Sequence, residues 1–150
     1  MAENQSLFIK YKPLIFQFLR FVVVGIINTS IDYIIYLCLT RFIDWFDENK
    51  VVATSIAFVV AATNSYFMNK FFTFRDKSKE YGTQYIKFFF VSLVGFGINA
   101  FIFYLLLETG MFDILAKVLT TGVVLVWNFF ANKFWTFKQK IPRLGKPEKK

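Results

Sequence analysis

Four long apolar runs dominate the chain. Each is close to the roughly 20 residues that an α-helix needs to cross about 30 Å of hydrocarbon. The runs cover approximately Phe18–Thr40, Val51–Phe71, Tyr85–Leu107 and Ile114–Trp135. The segments between them are short and rich in charged residues. This pattern predicts an all-α membrane protein with four transmembrane helices.

The polar positions at the ends of these runs repeat. Residues 69–74 read Asn-Lys-Phe-Phe-Thr-Phe and residues 132–137 read Asn-Lys-Phe-Trp-Thr-Phe, so one motif closes the second and the fourth run. The openings also match, because Phe-Leu-Arg-Phe at 18–21 corresponds to Tyr-Ile-Lys-Phe at 85–88. The openings align at an offset of 67 residues and the closings at 63, which indicates a loss of four residues from the outer loop of the second repeat. With two spans each, the halves are predicted to form two parallel repeats that enter the membrane in the same direction.

Two flanking segments complete the predicted organisation. Residues 1–17 are expected to form an interfacial, polar N-terminal segment, in which Pro13 would break or start a helix. Residues 18–137 form the four-helix transmembrane domain. Residues 138–150 are rich in Lys and Pro and are predicted to be a basic disordered tail.

Composition places the chain in a membrane and narrows its chemistry. Of its 150 residues, 56% are hydrophobic and 22 are Phe, whereas a soluble domain of this size buries only about two-thirds of the surface of its unfolded chain. There is no histidine and only one cysteine, Cys38. These counts exclude a histidine-based catalytic triad, a Cys/His zinc site and an intramolecular disulfide. No metal and no cofactor are expected.

The basic residues indicate how the chain is oriented. The net charge is +8, but the cations lie in loops between apolar runs rather than along one face of a soluble fold, so no nucleic-acid partner is expected. Positive charge favours the cytoplasmic side, and both termini and the middle loop are therefore predicted to be cytoplasmic. Fifteen cations lie on that side: Lys10, Lys12, Arg20, Lys70, Arg75, Lys77, Lys79, Lys87, Lys133, Lys138, Lys140, Arg143, Lys146, Lys149 and Lys150. The other three are Arg41, Lys50 and Lys117.

Polar residues inside the predicted spans need a separate explanation. Asp32 lies about 18 Å along a helix from Arg20, past the midplane of the membrane, and a central Asp costs about 2.5–3.5 kcal/mol on insertion scales. Asn28 lies one turn below Asp32, and Asn99 occupies the position in the third span that matches Asp32. Two interpretations are open. These residues form structural hydrogen bonds between helices, or they line a polar pathway for a headgroup or a proton.

The closing motifs combine amides with a cation at the cytoplasmic boundary. Asn128 and Asn132 are spaced i, i+4 and share a helix face, and Lys133 follows directly. Such a group can donate several hydrogen bonds to a phosphate. A snorkelling lysine beside an aromatic belt is the alternative interpretation. The first copy supplies Asn64, Asn69 and Lys70, and the belt would comprise Phe71, Phe72, Phe74, Phe134, Trp135 and Phe137.

Two-span repeats with these opening and closing patterns resemble the GtrA-like family of small four-span bacterial membrane proteins. The resemblance covers roughly Phe18–Phe137, although Ser65 stands in the first copy where the second has Asn128. It implies residence in the bacterial plasma membrane and a role in cell-surface polysaccharide or teichoic-acid glycosylation. Members are thought to move a polyprenyl-phosphate-linked sugar to the outer leaflet, where a separate membrane glycosyltransferase uses it.

The resemblance and the polar positions together predict a flippase. Cations at the cytoplasmic face would dock the lipid phosphate, the amides and the intramembrane acid would replace water around the sugar, and the prenyl tail would stay among membrane lipids. The candidate binding residues are Arg20, Asn28, Asp32, Asn64, Asn69, Lys70, Lys87, Asn99, Asn128, Asn132 and Lys133.

Other function classes fit less well. Small multidrug exporters also have four spans and an acid in the first, but the cationic rim predicted here would repel cationic drugs. A non-transporting scaffold of the glycosylation complex fits the sequence too. An enzyme is least expected, because Asp32 has no second membrane-embedded carboxylate for acid–base work. A homo-oligomer is possible, since small residues permit close helix contacts: Gly25, Ser30, Ala61, Ala62, Gly95 and Gly97.

Overall fold

The computed structural model describes residues 2–139, with side chains from Tyr11 onward. Across this part of the chain every regular element is helical and there is no strand, which confirms the predicted all-α class. The α-helices are α1 (Ala2–Phe42), α2 (Asp44–Glu48), α3 (Lys50–Met68), α4 (Tyr81–Glu108) and α5 (Asp113–Ala131). Residues 140–150, most of the predicted disordered tail, lie outside the described residues.

Within residues 2–139, four helical segments are long and apolar enough to cross a membrane, as predicted. They are Tyr11–Phe42, Lys50–Thr73, Tyr81–Glu108 and Asp113–Thr136. Many of their large apolar side chains point away from the protein, and Phe96 exposes 72% of its surface. In water such exposure would be costly, so these faces suit a hydrocarbon solvent.

Pro13 does not interrupt the first helix. The prediction that it would break or start a helix is wrong, because α1 runs continuously from Ala2 to Phe42 with Pro13 inside it. Proline removes one backbone hydrogen bond and crowds the preceding turn, but in a helix of 41 residues the turns on both sides remain intact. The segment before residue 18 is therefore a direct extension of the first span.

The helices pair into two hairpins. Helix α1 packs mainly on α3, and α4 packs mainly on α5. In α3 the alanines at 53, 57 and 61 are buried at intervals of four residues, so they lie on one face of the helix and let another backbone approach closely. In α5 the corresponding buried positions are Ala116 and Thr120.

The hairpins meet in a cluster of aromatic rings at one end of the bundle. Phe74 and Phe137 stack at its centre with their centroids 4.7 Å apart. Around them, contacts occur in pairs related by the sequence offsets: Phe74 with Phe129 at 5.9 Å, and Phe137 with Tyr66 at 6.3 Å. The predicted aromatic belt is therefore wrong for Phe74 and Phe137, because both are buried in this core. The cluster comprises Phe21, Tyr66, Phe74, Phe88, Phe129 and Phe137.

Each closing motif forms one turn of π-helix, here called π1 (Asn69–Thr73) and π2 (Asn132–Thr136). The N–H of Phe74 donates to the carbonyl of Asn69 at 2.8 Å, and that of Phe137 donates to Asn132 at 2.9 Å. A residue in the left-handed region then ends each helix: Arg75 with φ 51° and Lys138 with φ 49°. The wider π turn buries the Asn, Lys and Thr of each motif and leaves its two middle aromatics exposed.

Candidate functional site

The first closing motif surrounds its lysine with acceptors. The Lys70 side chain is fully buried. Its Nζ donates to Asp76 Oδ2 at 2.6 Å and to Gln84 Oε1 at 2.6 Å, with Ser78 Oγ at 3.4 Å. Gln84 Nε2 also donates to Asp76 Oδ2 at 2.8 Å. The charge of Lys70 is therefore balanced by a carboxylate inside a closed hydrogen-bond network.

The network holds Asp76 in its ionised form. Burial alone would raise the pKa of the Asp76 carboxyl, but hydrogen bonds from Lys70, Ser78 and Gln84 outweigh it and lower the pKa to about 2. The Asp76 carboxyl is therefore ionised throughout the physiological pH range, and it lies just after π1.

The second closing motif has the same geometry, but among the described residues no carboxylate lies beside its lysine. Lys133 is buried, and its Nζ donates to Gln17 Oε1. Gln17 Nε2 donates to Gln139 Oε1 at 2.7 Å and to the carbonyl of Thr73 at 3.3 Å. By the two offsets, Gln17 corresponds to Gln84 and Gln139 to Asp76. Each lysine thus binds the glutamine that opens the other hairpin, but an amide replaces the acid at Lys133.

A cationic cleft of about 270 Å³ opens beside Lys133. Its cationic lining consists of Arg20, Arg75 and Lys133, and none of the described residues that line it is acidic. Gln17 and Gln139 add polar groups, while Pro13, Leu14 and Phe74 supply apolar wall. Three cations and two amides around one small cleft can bind the oxygens of an anion such as a phosphate.

Arg20 and Lys87, which open the two hairpins, each lie against an aromatic ring. The Arg20 guanidinium is 5.7 Å from the centre of the Phe72 ring, and Lys87 Nζ is 5.5 Å from that of Trp135. Both distances are within the range of cation–π attraction. Arg20 lines the cationic cleft, whereas Lys87 does not.

The asparagines that begin the two π turns face the helix rather than the cleft. Asn69 Nδ2 donates to the carbonyl of Ser65 at 2.9 Å, and Asn132 Nδ2 donates to that of Asn128 at 2.8 Å. Asn132 Oδ1 also accepts a hydrogen bond from Thr136 Oγ1 at 2.9 Å. Neither asparagine lines the cleft. The sequence pattern predicts phosphate binding by these two amides, but in the structure they donate hydrogen bonds to carbonyls at the helix ends.

A second polar cavity, also about 270 Å³, lies deeper between the helices. Asn28 and Asp32 line it together with Ser65 and Ser92. Asn64 Nδ2 donates to Asn28 Oδ1 at 2.9 Å and so ties α3 to α1. Asp32 Oδ1 is buried and has no hydrogen-bond partner among the described residues. Asn64 thus makes a structural hydrogen bond between helices, and Asp32 lines a polar cavity with one carboxyl oxygen unpaired among the described residues.

Asn128 and Asn99 lie apart from both cavities. Asn128 packs against Gly95, where an added Cβ would come within 2.7 Å of Asn128 Oδ1. The positions that correspond to this pair in the first hairpin are Ser65 and Asn28, so each hairpin has one amide side chain opposite one small residue. Asn99 is half-buried in α4.

Sequence reasoning missed three residues of the cationic cleft: Gln17, Arg75 and Gln139. A signal for Gln17 existed, since the opening repeat extends one residue upstream to Gln17 and Gln84 at the same offset of 67. Arg75 and Gln139 follow the closing motifs, where the two copies no longer match in sequence. Their position is set by the shared backbone of the helix ends.

An apolar groove of about 740 Å³ lies between α4 and α5. Its lining is entirely apolar, and Trp135 lies at the end that approaches Lys87. A groove of this volume can hold part of a lipid chain beside a cation. Its lining residues are Phe90, Val91, Val94, Val126, Trp127, Phe130, Ala131, Phe134 and Trp135.

Three bacterial proteins of about the same length are similar to this chain in sequence. The chain is 26% identical over 129 residues to the uncharacterized membrane protein YngA of Bacillus subtilis, covering 86% of this chain and 84% of that protein. It is 26% identical over 134 residues to the cell wall teichoic acid glycosylation protein GtcA of Listeria monocytogenes, covering 87% and 90%. The Listeria innocua protein of the same name is 25% identical over 132 residues. Residues 20–137 match the GtrA/DPMS transmembrane domain, so the chain is a multi-pass membrane protein that belongs to this family.

Proposed function

We propose that this protein is a flippase that moves a polyprenyl-phosphate-linked sugar across the bacterial plasma membrane. It would supply a separate membrane glycosyltransferase that modifies cell-surface polysaccharide or teichoic acid, and it would not itself be an enzyme. The observation that carries the proposal is the cationic cleft beside Lys133, because three cations with no acid among the described lining residues suit a lipid phosphate. The names of the Listeria relatives, which refer to teichoic acid glycosylation, support the pathway.

The proposal includes two parallel repeats with both termini in the cytoplasm. Matching contacts support the repeats: Phe18 packs edge-on against Phe129 at 5.2 Å, and Tyr85 packs edge-on against Tyr66 at 5.4 Å. These pairs are related by the offsets of 67 and 63. The excess of Lys and Arg at the same end supports the orientation, which puts the cationic cleft where a cytoplasmic lipid phosphate can reach it.

The polar cavity around Asp32 offers the next stage of the route. An unpaired buried carboxylate oxygen is costly in hydrocarbon, and a sugar hydroxyl is a suitable hydrogen-bond donor to it. The cavity also contains the Asn28 amide and two serines. The prenyl tail would follow the apolar groove between α4 and α5 or remain among the lipids.

Reconstitution tests the proposal directly. Purified protein in liposomes should move a short-chain polyprenyl-phosphate sugar between leaflets, measured by its accessibility to an impermeant reagent. The Lys133→Ala variant should lose this activity because it loses the buried cation of the cleft. If the wild-type protein moves no lipid-linked sugar while cells still need it for surface glycosylation, the scaffold function replaces the flippase.

A further inference from the structure

The two closing motifs differ in charge at equivalent positions. Beside Lys70 the chain has Asp76, and Lys138 pairs with Glu80 at 3.2 Å. By the offset of 63, Lys133 corresponds to Lys70, Gln139 to Asp76 and Arg75 to Lys138. By the offset of 67, Pro13 corresponds to Glu80. The environment of Lys133 therefore keeps both cations of the Lys70 environment and has uncharged residues in place of both acids.

The consequence for Lys133 follows from the cost of burying a charge. A buried cation needs a close counter-charge or a full set of acceptors. Lys70 has a carboxylate and two further oxygens within 3.4 Å. Among the described residues, Lys133 has the side-chain amide oxygen Oε1 of Gln17 and the ring of Phe129 at 5.9 Å. Arg20 and Arg75 line the same cleft and add positive charge rather than balance it.

We propose that each chain has one phosphate-binding position, at Lys133, and that Asp76 permanently fills the equivalent position at Lys70. A phosphate oxygen of the ligand would bind Lys133 as Asp76 Oδ2 binds Lys70, while Arg20 and Arg75 bind the remaining oxygens. The assignment of this phosphate to a sugar-carrying lipid rests on the proposed function, but the position itself does not. The first motif is then a structural copy, and the second is the binding copy.

The test adds the missing carboxylate. Gln139→Asp places an acid after the second motif, at the position that corresponds to Asp76 after the first. Gln139→Asn is the matched control, because asparagine has the size of aspartate without its charge. Binding is measured by isothermal titration of the purified full-length protein in detergent micelles. The probes are farnesyl phosphate, farnesol and inorganic phosphate, which separate a lipid phosphate from a bare lipid and from free phosphate.

Wild-type protein is expected to bind one farnesyl phosphate per chain and no farnesol, and Gln139→Asn measures the affinity lost with the longer amide alone. Gln139→Asp is expected to bind farnesyl phosphate about tenfold more weakly than Gln139→Asn, because its carboxylate competes for Lys133 and repels the ligand. Arg75→Gln, at an exposed position, should weaken binding severalfold without affecting folding. If inorganic phosphate binds as tightly as farnesyl phosphate, the binding position is supported and its ligand is free phosphate.

Two results would overturn the inference. One is equal affinity of Gln139→Asp and Gln139→Asn for farnesyl phosphate. The other is a lower melting temperature for Gln139→Asp than for Gln139→Asn, since a carboxylate beside an unbalanced buried lysine must stabilise the fold. Surface glycosylation in cells separates this inference from the proposed function: normal glycosylation by a Gln139→Asp protein that no longer binds phosphate would refute the function and leave the binding position intact.

Discussion

The helix ends at π1 and π2 share one backbone conformation but differ in their electrostatic environments. Both π turns bury an Asn, a Lys and a Thr, and both end at a residue with positive φ. Lys70 is closed into a network with an acid, while Lys133 faces a cleft lined with further cations. The difference shows that a duplicated motif can keep its fold in both copies while only one copy has an open cationic cleft beside its lysine.

Removing the open cation should have the largest effect on function. Lys133→Ala is expected to abolish surface sugar modification, at least tenfold below wild type, because the cleft loses the cation at its centre. Lectin labelling of cells measures this, with immunoblotting to normalise protein amount. Lys138→Ala is the control, since Lys138 is an exposed cation that pairs with Glu80. Wild-type labelling with Lys133→Ala would show that the cleft has no part in function.

The first copy should instead respond through stability. Asp76→Asn leaves Lys70 buried without its carboxylate, and breaking a buried ion pair costs about 3–5 kcal/mol. Denaturant unfolding in detergent measures the loss. The control is Asp47→Asn, which removes an exposed pair with Lys50 and should cost about 1 kcal/mol or less. Equal losses in the two variants would mean that the Lys70 network is not the support inferred here.

The helix contact at Gly95 offers a comparison within the membrane. Gly95→Ala puts a Cβ within 2.7 Å of Asn128 Oδ1, and such overpacking costs about 1–3 kcal/mol. Gly97→Ala has open space around it and should be neutral. Adding Asn128→Ser, which copies Ser65 of the first hairpin, should restore most of the melting temperature. A failure to recover would place the strain elsewhere.

The pH dependence of stability should differ between wild type and Asp76→Asn. The pKa of Asp76 falls from 3.8 to about 2 on folding, so its ionised form stabilises the fold above about pH 4. That contribution disappears as the pH falls towards 2, where the carboxyl takes up a proton. The stability gap between the two proteins should therefore be constant near pH 6 and shrink below pH 4. A constant gap down to pH 2.5 would contradict the assigned network.

The smallest expected difference concerns the two buried asparagines. Asn132→Ala removes hydrogen bonds to Asn128 and Thr136, so the buried Thr136 hydroxyl loses its side-chain acceptor. Asn69→Ala also removes two hydrogen bonds, but both go to Ser65, and the Thr73 hydroxyl has no partner among the described residues even in the wild type. An unsatisfied buried polar group costs about 1–3 kcal/mol, so Asn132→Ala should unfold at a slightly lower denaturant concentration. If Asn69→Ala were the less stable variant, the hydrogen bond to Thr136 would carry no weight.

The four spans were predictable because length and apolarity alone decide whether a helix can cross a membrane. The two closing motifs were recognisable in the sequence, but the burial of their side chains was not. A lysine after an apolar run is typical of a snorkelling side chain, and only the π turn directs Lys70 and Lys133 inward. The same turn places Phe74 and Phe137 in the core rather than in a belt.

The residues of the candidate binding site could not be predicted from motifs. Gln17 and Gln139 are 122 residues apart and meet only because the two hairpins pack together. Asn69 and Asn132 suited a phosphate site by residue type, but their donors are used by carbonyls four residues earlier. Local chemistry pointed to this end of the molecule, and the packing of the hairpins determines which residues meet there.

The position of the aromatic core also bears on how the protein is made. Phe137 stacks at the centre of that core and belongs to the final motif of the last span. During synthesis the first hairpin is therefore made before Phe137, and Phe74 lacks this stacking partner until residue 137 has left the ribosome. A nascent chain cut short before the second motif would expose this aromatic surface, and membrane proteases could distinguish it from the finished protein.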